Sequence, residues 1–243
     1  MWKLWKKPLR LYVKEDDSVA YLLFILPALL LSLYAQFKVQ STFNRYSQVR
    51  SVKGLTGAEV ASAILRRNGM TGRVNVDAVK GSLSDHYDPV ARTVRLSETV
   101  YGSNSISAVG VAAHEVGHAI QHAEHYGPLE LRHRIVPVTN FASSASFPIL
   151  LIGFIFNSLD LIFIGIILFS AVVLFHIVTL PVELNASRRA VVQLADAGLV
   201  SSHEIPMVKK VLGAAALTYL AATLSAVANL LYYIFIFMGA SDE

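Results

Sequence analysis

Four long stretches without a charged side chain limit how this chain can fold. They cover residues 18–37, 136–156, 161–180 and 211–238. A helix needs about 20 mostly apolar residues to cross the hydrocarbon core of a bilayer, and each stretch meets that length. Charged residues make up only 16% of the chain, compared with about 25% in soluble globular domains. We therefore expect a mainly α, multi-pass integral protein of the cell membrane with about four transmembrane helices.

The first stretch, residues 18–37, has a second interpretation as a cleaved signal peptide. It is longer than the apolar part of a typical signal peptide, and no clear Ala-x-Ala-like cleavage site follows it. Residues 1–17 combine Trp with Lys and Arg, which is typical of a segment at a membrane interface but also fits a disordered tail. We expect a retained anchor preceded by a basic interfacial tail.

The polar residues are concentrated in two segments, 38–135 and 181–210. In the first, Thr56 and Glu59 have the spacing of a capping box and predict a helix. Two short extended segments follow, and then a second helix is expected over residues 105–122. This mixture predicts a small α+β domain between the first and second transmembrane helices.

The net charge of +4 favours a negatively charged binding partner. The basic side chains are spread through loops beside the apolar stretches, which favours anionic membrane lipids over nucleic acid as partners. The chain has no cysteine, so disulfides and thiolate metal sites are excluded. Any metal would be held by histidine and carboxylate ligands.

The segment His114-Glu115-Val116-Gly117-His118 has the H-E-x-x-H pattern and lies within the predicted helix over residues 105–122. Histidines four residues apart lie on one helical face, so both can reach a single ion at about 2 Å. Glu115 is offset by about 100° and is placed to contact a water at the metal, where it can act as general base. Two surface histidines on an ordinary helix are the alternative interpretation. The apolar face of this helix favours a zinc site.

A catalytic zinc needs a third protein ligand and one open position. Glu183 is the best candidate, since two apolar stretches separate it from His118 and return the chain to the same membrane surface. A carboxylate at the membrane boundary is costly unless it is paired or ligating. The alternative is an ion pair between Glu183 and Arg188 or Arg189.

Two other candidates for the third ligand fit less well. His122 lies about 12 Å along a straight helix from His114, too far for both to bind one ion. Asp160 is separated from the motif by one apolar stretch and is expected at the opposite membrane surface.

Five short blocks of sequence, occurring in a fixed order along the chain, together resemble the pattern of a known protein family. They are residues 54–61 (GLTGAEVA), 85–89 (DHYDP), 112–121 (AAHEVGHAIQ), 180–190 (LPVELNASRRA) and 215–219 (AALTY). With these blocks the chain resembles the YugP-type membrane zinc metallopeptidases over nearly everything from Ala35 onward. The resemblance implies a small zincin-like catalytic domain that uses Zn²⁺.

By this resemblance His114, His118 and Glu183 are zinc ligands, and Glu115 is the catalytic base. The arrangement is also similar to the HtpX-type and CAAX-processing membrane proteases, in which Asp follows four residues after the ligating Glu. Here that position is Ser187. The resemblance therefore does not identify the side chain that orients the ligating histidines.

Two further residues in the shared blocks, His86 and Tyr219, are candidates for stabilising an oxyanion. An ordinary turn histidine and a helix-packing tyrosine are the alternatives. The extended segment over residues 92–96, just before the motif helix, is a candidate edge strand for substrate addition.

Taken together, these features predict a membrane-embedded endopeptidase that hydrolyses peptide bonds of membrane-associated proteins or peptides through a zinc-activated water. The alternative is a non-catalytic membrane scaffold or partner-binding protein with a structural or vestigial zinc site, in which His122 or His86 is a fourth ligand. An intramembrane site-2-type protease fits poorly, because the motif helix is too short and polar to cross a bilayer. Another membrane protein or a second copy of this chain is a further candidate partner.

The distribution of Lys and Arg predicts the orientation in the membrane. Apart from five in residues 1–17, all of them fall in segments 38–135 and 181–210. The positive-inside rule therefore predicts a cytoplasmic catalytic face, although the basic tail argues for the reverse.

Overall fold

The computed structural model describes the backbone of residues 15–241 and the side chains of residues 22–239. The predicted basic tail, residues 1–17, lies outside the described residues apart from the backbone of its last three positions.

The described residues form seven helices and three strands. The helices are α1 (Glu15–Ser47), α2 (Gly57–Arg67), α3 (Glu98–Tyr101), α4 (Ile106–Ala123), α5 (Gly127–Phe156), α6 (Leu159–Asp196) and α7 (Ile205–Ser241). The strands are β1 (Asn75–Val79), β2 (His86–Asp88) and β3 (Thr93–Ser97).

Four of these helices are long and apolar enough to cross a membrane. The candidate spans are Leu22–Ser47, Gly127–Phe156, Leu159–Asp196 and Ile205–Gly239, in α1, α5, α6 and α7. The short helices and the three-stranded sheet form the α+β part. The predicted mainly α membrane architecture with a small α+β domain is therefore confirmed.

The helix that contains the third apolar stretch extends well beyond the end of that stretch. Helix α6 continues from Leu159 to Asp196 and passes through Pro181 and Glu183. Proline cannot donate a helical hydrogen bond, so an end near Leu180 was the natural expectation. Glu183 is instead carried by a continuous helix, which fixes the direction of its side chain.

Packing divides the chain into two compact units. Within the described residues the first comprises 15–32, 132–177 and 221–241, and the second comprises 33–131 and 178–220. In the first unit α5 and α6 form a tight hairpin. A Cβ added to Gly153 would lie 2.8 Å from Cγ1 of Ile162, so glycine allows the two helices to approach this closely.

The second unit is built around the sheet, whose strand order is β1-β3-β2. β3 pairs in parallel with β1 and antiparallel with β2. Val94 and Leu96 of β3 are fully buried and belong to one apolar core with residues of α2 and α4. The proposed role of residues 92–96 as an edge strand is therefore wrong, because β3 is central and buried strands of this kind have no free edge.

The strand missing from the sequence prediction is β2. Its residues fall in the Asp85–Pro89 block. A turn follows β2, and in it the Asp88 carboxylate accepts hydrogen bonds from the backbone N–H groups of Val90 and Ala91 at 2.9 Å.

Helix α4 packs against α6 with almost no space between the backbones. A Cβ added to Gly117 would lie 2.7 Å from the carbonyl oxygen of Ala186, a distance that real Cβ atoms essentially never show. Ala186 is itself fully buried. Glycine at position 117 therefore sets the spacing between the helix with the histidine pair and the helix with Glu183.

We expect Gly117→Ala to destabilise the fold by about 1–3 kcal/mol, because the added methyl group overpacks a rigid backbone contact. Gly110→Ala on the same helix is the matched control. Its Cβ would meet Cγ1 of Val208 at 3.5 Å, an ordinary contact, and alanine raises helix propensity by about 1 kcal/mol. Thermal unfolding in detergent measures both. Equal unfolding temperatures for Gly117→Ala and the unmodified chain would contradict the close packing.

Candidate metal centre

Helix α4 holds the histidine pair in a rigid position. Ser105 caps the helix, and its Oγ accepts a hydrogen bond from the backbone N–H of Ala108 at 3.2 Å. The helix packs its small and branched side chains into the core, so the motif residues are presented from a fixed backbone.

The side chains of His114, His118 and Glu183 converge on one point. Nε2 of His114 lies 3.3 Å and Nε2 of His118 lies 3.4 Å from Oε2 of Glu183. Within the described part of the chain, these three residues form the group of potential metal ligands whose donor atoms all lie within 4.8 Å of one another. The predicted alternative was an ion pair between Glu183 and Arg188 or Arg189. In the structure, Oε2 of Glu183 instead lies beside the two histidines.

The distances fit a shared ion better than direct ion pairs. Two ligands about 2.0–2.1 Å from a tetrahedral zinc lie about 3.4 Å apart. A charge-assisted hydrogen bond between imidazolium and carboxylate would be shorter, at about 2.7–2.9 Å. Two imidazole nitrogens and one carboxylate oxygen are also the donor set that catalytic zinc uses in several peptidases. The residues present therefore fit a zinc ion.

A chain of hydrogen bonds fixes which nitrogen of His118 carries the proton. Nε of Arg189 can only donate, and it contacts Oδ1 of Asn185 at 2.7 Å. That oxygen also accepts from Nε2 of Gln121 at 2.9 Å, which leaves Oε1 of Gln121 facing Nδ1 of His118 at 3.0 Å. Because an amide oxygen only accepts, Nδ1 of His118 donates and Nε2 keeps its lone pair for a metal.

Gln121 joins the two helices of the centre. Its side chain is fully buried, and its Nε2 also donates to the carbonyl oxygen of Val182 at 2.9 Å, one residue before Glu183. At the outer end of the chain of bonds, Arg189 forms a 2.7 Å salt bridge with Glu124. Gln121 thus orients His118 and anchors α4 to the α6 backbone beside Glu183.

His114 is held by a hydroxyl group. Oγ of Ser187 lies 3.1 Å from Nδ1 of His114. This contact is made by a neutral side chain. Neither Ser187 nor Gln121 was identified from the sequence as a partner of the histidines. Helical spacing gave the available signal, since Gln121 follows His118 by three residues and Ser187 follows Glu183 by four.

Glu115 lies beside the three potential ligands and is only 8% exposed. Burial raises the pKa of Glu115, the charges of His114 and His118 oppose that rise, and the carboxylates of Glu183 and Asp85 reinforce it. For His118, burial favours a lower pKa, but hydrogen bonding to Glu183 and its charge raise the pKa overall. The centre therefore combines a buried carboxyl group of raised pKa with the three potential ligands.

Strand β2 is tied to the motif helix. The hydroxyl of Tyr87 and Nδ1 of His122 are 2.9 Å apart. Just before β2, the Asp85 carboxylate accepts hydrogen bonds from the backbone N–H of Ser97 at 2.7 Å and from its hydroxyl at 3.0 Å. The Tyr87 contact holds the edge strand β2 close to α4, and the Asp85 contacts tie the segment before β2 to the end of β3.

The other candidate residues lie outside the group of three. His86 on β2 is exposed, and its Nδ1–H donates to the carbonyl oxygen of Ser84 at 2.7 Å. Tyr219 is partly buried on α7. Their assignment as oxyanion donors stays a prediction, and so does the catalytic role of Glu115.

Comparison with known proteins identifies the family of the chain. A family model described as "Putative neutral zinc metallopeptidase" matches residues 21–238. A protein of Bacillus subtilis (strain 168) named "Putative membrane protease YugP" is 52% identical over 223 residues, which cover 92% of this chain and 99% of that protein. No solved structure matches the chain. The predicted family resemblance is confirmed: the chain belongs to the neutral zinc metallopeptidase family.

Proposed function

We propose that this chain is a membrane-embedded, zinc-dependent endopeptidase that hydrolyses peptide bonds of membrane-associated proteins or peptides. The observation that carries the proposal is that Nε2 of His114 and Nε2 of His118 lie 3.3 Å and 3.4 Å from Oε2 of Glu183, with Glu115 buried beside them. Family membership supports zinc as the metal.

In this proposal His114, His118 and Glu183 hold the zinc. A zinc ion bound there supplies Lewis acidity and lowers the pKa of a water molecule to about 7. The Glu115 carboxylate accepts a proton from the attacking water and then delivers it to the amine that leaves the cleaved peptide bond. Burial raises the pKa of Glu115, which makes its carboxylate a better proton acceptor than an exposed one.

Strand β2 is the proposed site of peptide binding. It is an edge of the described sheet, so its outer backbone groups are available to an added strand. Hydrogen bonding of Tyr87 to His122 keeps this edge beside α4, and Asp85 lies close enough to Glu115 for its charge to affect the Glu115 pKa. A peptide extended along β2 would therefore pass near the proposed base.

The alternative function, a scaffold with a structural zinc, is less well supported. A structural zinc takes four protein ligands, whereas the described residues bring three together. His122 contacts Tyr87, and His86 contacts the Ser84 carbonyl. A three-residue donor set leaves the open position that a catalytic zinc needs.

Glu115→Gln should retain zinc and lose peptide hydrolysis by about 10²–10⁴-fold, because the amide cannot accept the proton. Zinc content and cleavage of a peptide library measure the two properties separately. Glu130→Gln is the matched control, since Glu130 pairs with His125 at 2.9 Å and is not one of the residues of the metal centre. The chelator 1,10-phenanthroline should abolish hydrolysis in the unmodified chain. Full turnover by Glu115→Gln would show that another group is the base.

Gln121→Leu should weaken zinc binding by about 10–100-fold, because His118 loses the acceptor that fixes its tautomer. Gln193→Leu, which removes a hydrogen bond to Asn68 on the same unit, is the control. Competition with a fluorescent zinc chelator measures the affinity, and thermal unfolding of the zinc-free proteins corrects for stability. An unchanged affinity would contradict the orienting role of Gln121.

The catalytic face is proposed to be cytoplasmic in the cell membrane, on the distribution of Lys and Arg. The chain has no cysteine, so a single introduced thiol can be labelled selectively. Val90→Cys places it on a loop position that is 94% exposed, and Asp160→Cys places it at the start of α6. A membrane-impermeant maleimide should label Asp160→Cys in intact cells and Val90→Cys only after lysis. The reverse pattern would overturn this orientation.

A further inference from the structure

A groove between α6 and α7 is not used by the proposed reaction. Its volume is about 380 Å³. We call it the α6–α7 groove, and it is lined by Leu184, Ser187, Arg188, Val191, Val192, Lys209, Leu212, Gly213 and Ala216. All of these residues belong to the second unit.

The groove is open and mostly apolar. Leu184 and Val192 are each 47% exposed and give the groove an accessible apolar wall. A Cβ added to Gly213 would find no heavy atom within 4 Å. The floor of the groove can therefore accept an apolar chain without rearrangement.

Both charged side chains of the groove are basic. Arg188 and Lys209 line it, and no acidic side chain does. The uncharged stretch of α6 ends at Val182 and that of α7 begins at Val211. At about 1.5 Å per residue, the two basic residues lie within roughly 9 Å of those ends. Two cations near the ends of the uncharged stretches, beside apolar side chains, match an anionic headgroup and its acyl chain.

The groove borders the metal centre on its far side. Ser187 lines the groove and contacts Nδ1 of His114, whereas Nε2 of His114 faces Glu183. The groove is therefore behind the histidine ring. A peptide lying in it would be screened from the reacting position, which favours a lipid over a substrate as the occupant.

We propose that the α6–α7 groove binds an anionic phospholipid. Its phosphate lies between Arg188 and Lys209, and one acyl chain follows Leu184, Leu212 and Ala216. This site is independent of peptide hydrolysis.

The test uses the full chain purified in detergent, with phosphatidylglycerol and phosphatidylcholine as probes in native mass spectrometry. Phosphatidylglycerol should bind more tightly than phosphatidylcholine. Arg188→Gln and Lys209→Gln should each weaken phosphatidylglycerol binding by about fivefold, since each basic residue near an anionic headgroup contributes about 1 kcal/mol. Lys210→Gln is the matched control, because Lys210 is the exposed neighbour of Lys209 and does not line the groove.

Gly213→Leu tests the acyl part of the site without changing a charge. The leucine side chain would occupy the groove, so binding of phosphatidylglycerol should fall at least tenfold while the unfolding temperature is kept. Equal affinity of both lipids, or equal affinity in Lys209→Gln and Lys210→Gln, would overturn the proposal. Displacement of phosphatidylglycerol by a substrate peptide would overturn it in favour of a peptide site.

Discussion

The contact between α4 and α6 at Gly117 and Ala186 is the constraint on which the metal centre depends. Each helix supplies only part of a coordination sphere, and neither part binds an ion strongly alone. The absence of a side chain at position 117 lets the two backbones approach until Nε2 of both histidines lies 3.3–3.4 Å from Glu183. A wider spacing would leave two histidines on one helix and a stranded buried carboxylate on the other.

A second layer of hydrogen bonds keeps this arrangement from relaxing. Gln121 links His118 to the backbone of α6, and Ser187 links α6 back to His114. Ser187 of α6 therefore orients His114 of α4, and Gln121 of α4 anchors that helix to the backbone of α6. Arg189 ends the chain of bonds at Glu124, where the salt bridge reaches solvent. Because only one assignment of donors and acceptors satisfies this chain, the tautomer of His118 follows from the geometry.

The sequence predicted the parts of the site that depend on local periodicity. Four-residue spacing predicted His114 and His118 on one face, and counting apolar stretches predicted Glu183 on their side of the membrane; the structure brings the three side chains together. The same reasoning correctly separated His122 from the group of three. The uncharged stretches were long enough that the mainly α membrane architecture followed from length alone.

The remaining features depend on contacts between distant segments. In the sequence, Gln121 is only a polar residue near the end of a predicted helix. The packing of α6 against α4 supplies the two acceptors of its Nε2, the Val182 carbonyl and Oδ1 of Asn185. Strand β2 has three residues and lies beside a strong turn signal, so its pairing with β3 left no local pattern. For the same reason β3 appeared to be a free edge. Helix α6 continues past Pro181 because packing on α4 outweighs the missing backbone hydrogen bond.

The neutral character of Gln121 and Ser187 has a consequence for charge balance. A divalent cation brings two positive charges, and Glu183 and Glu115 are the two carboxyl groups beside it, so these two side chains could balance its charge without help from Gln121 or Ser187. An aspartate at position 187 would leave an excess negative charge in a poorly solvated place, which is costly. Without the cation, protons on the histidines and the carboxyl groups can offset this negative charge. Loading of this centre is therefore an exchange in which the arriving cation drives protons out into solvent.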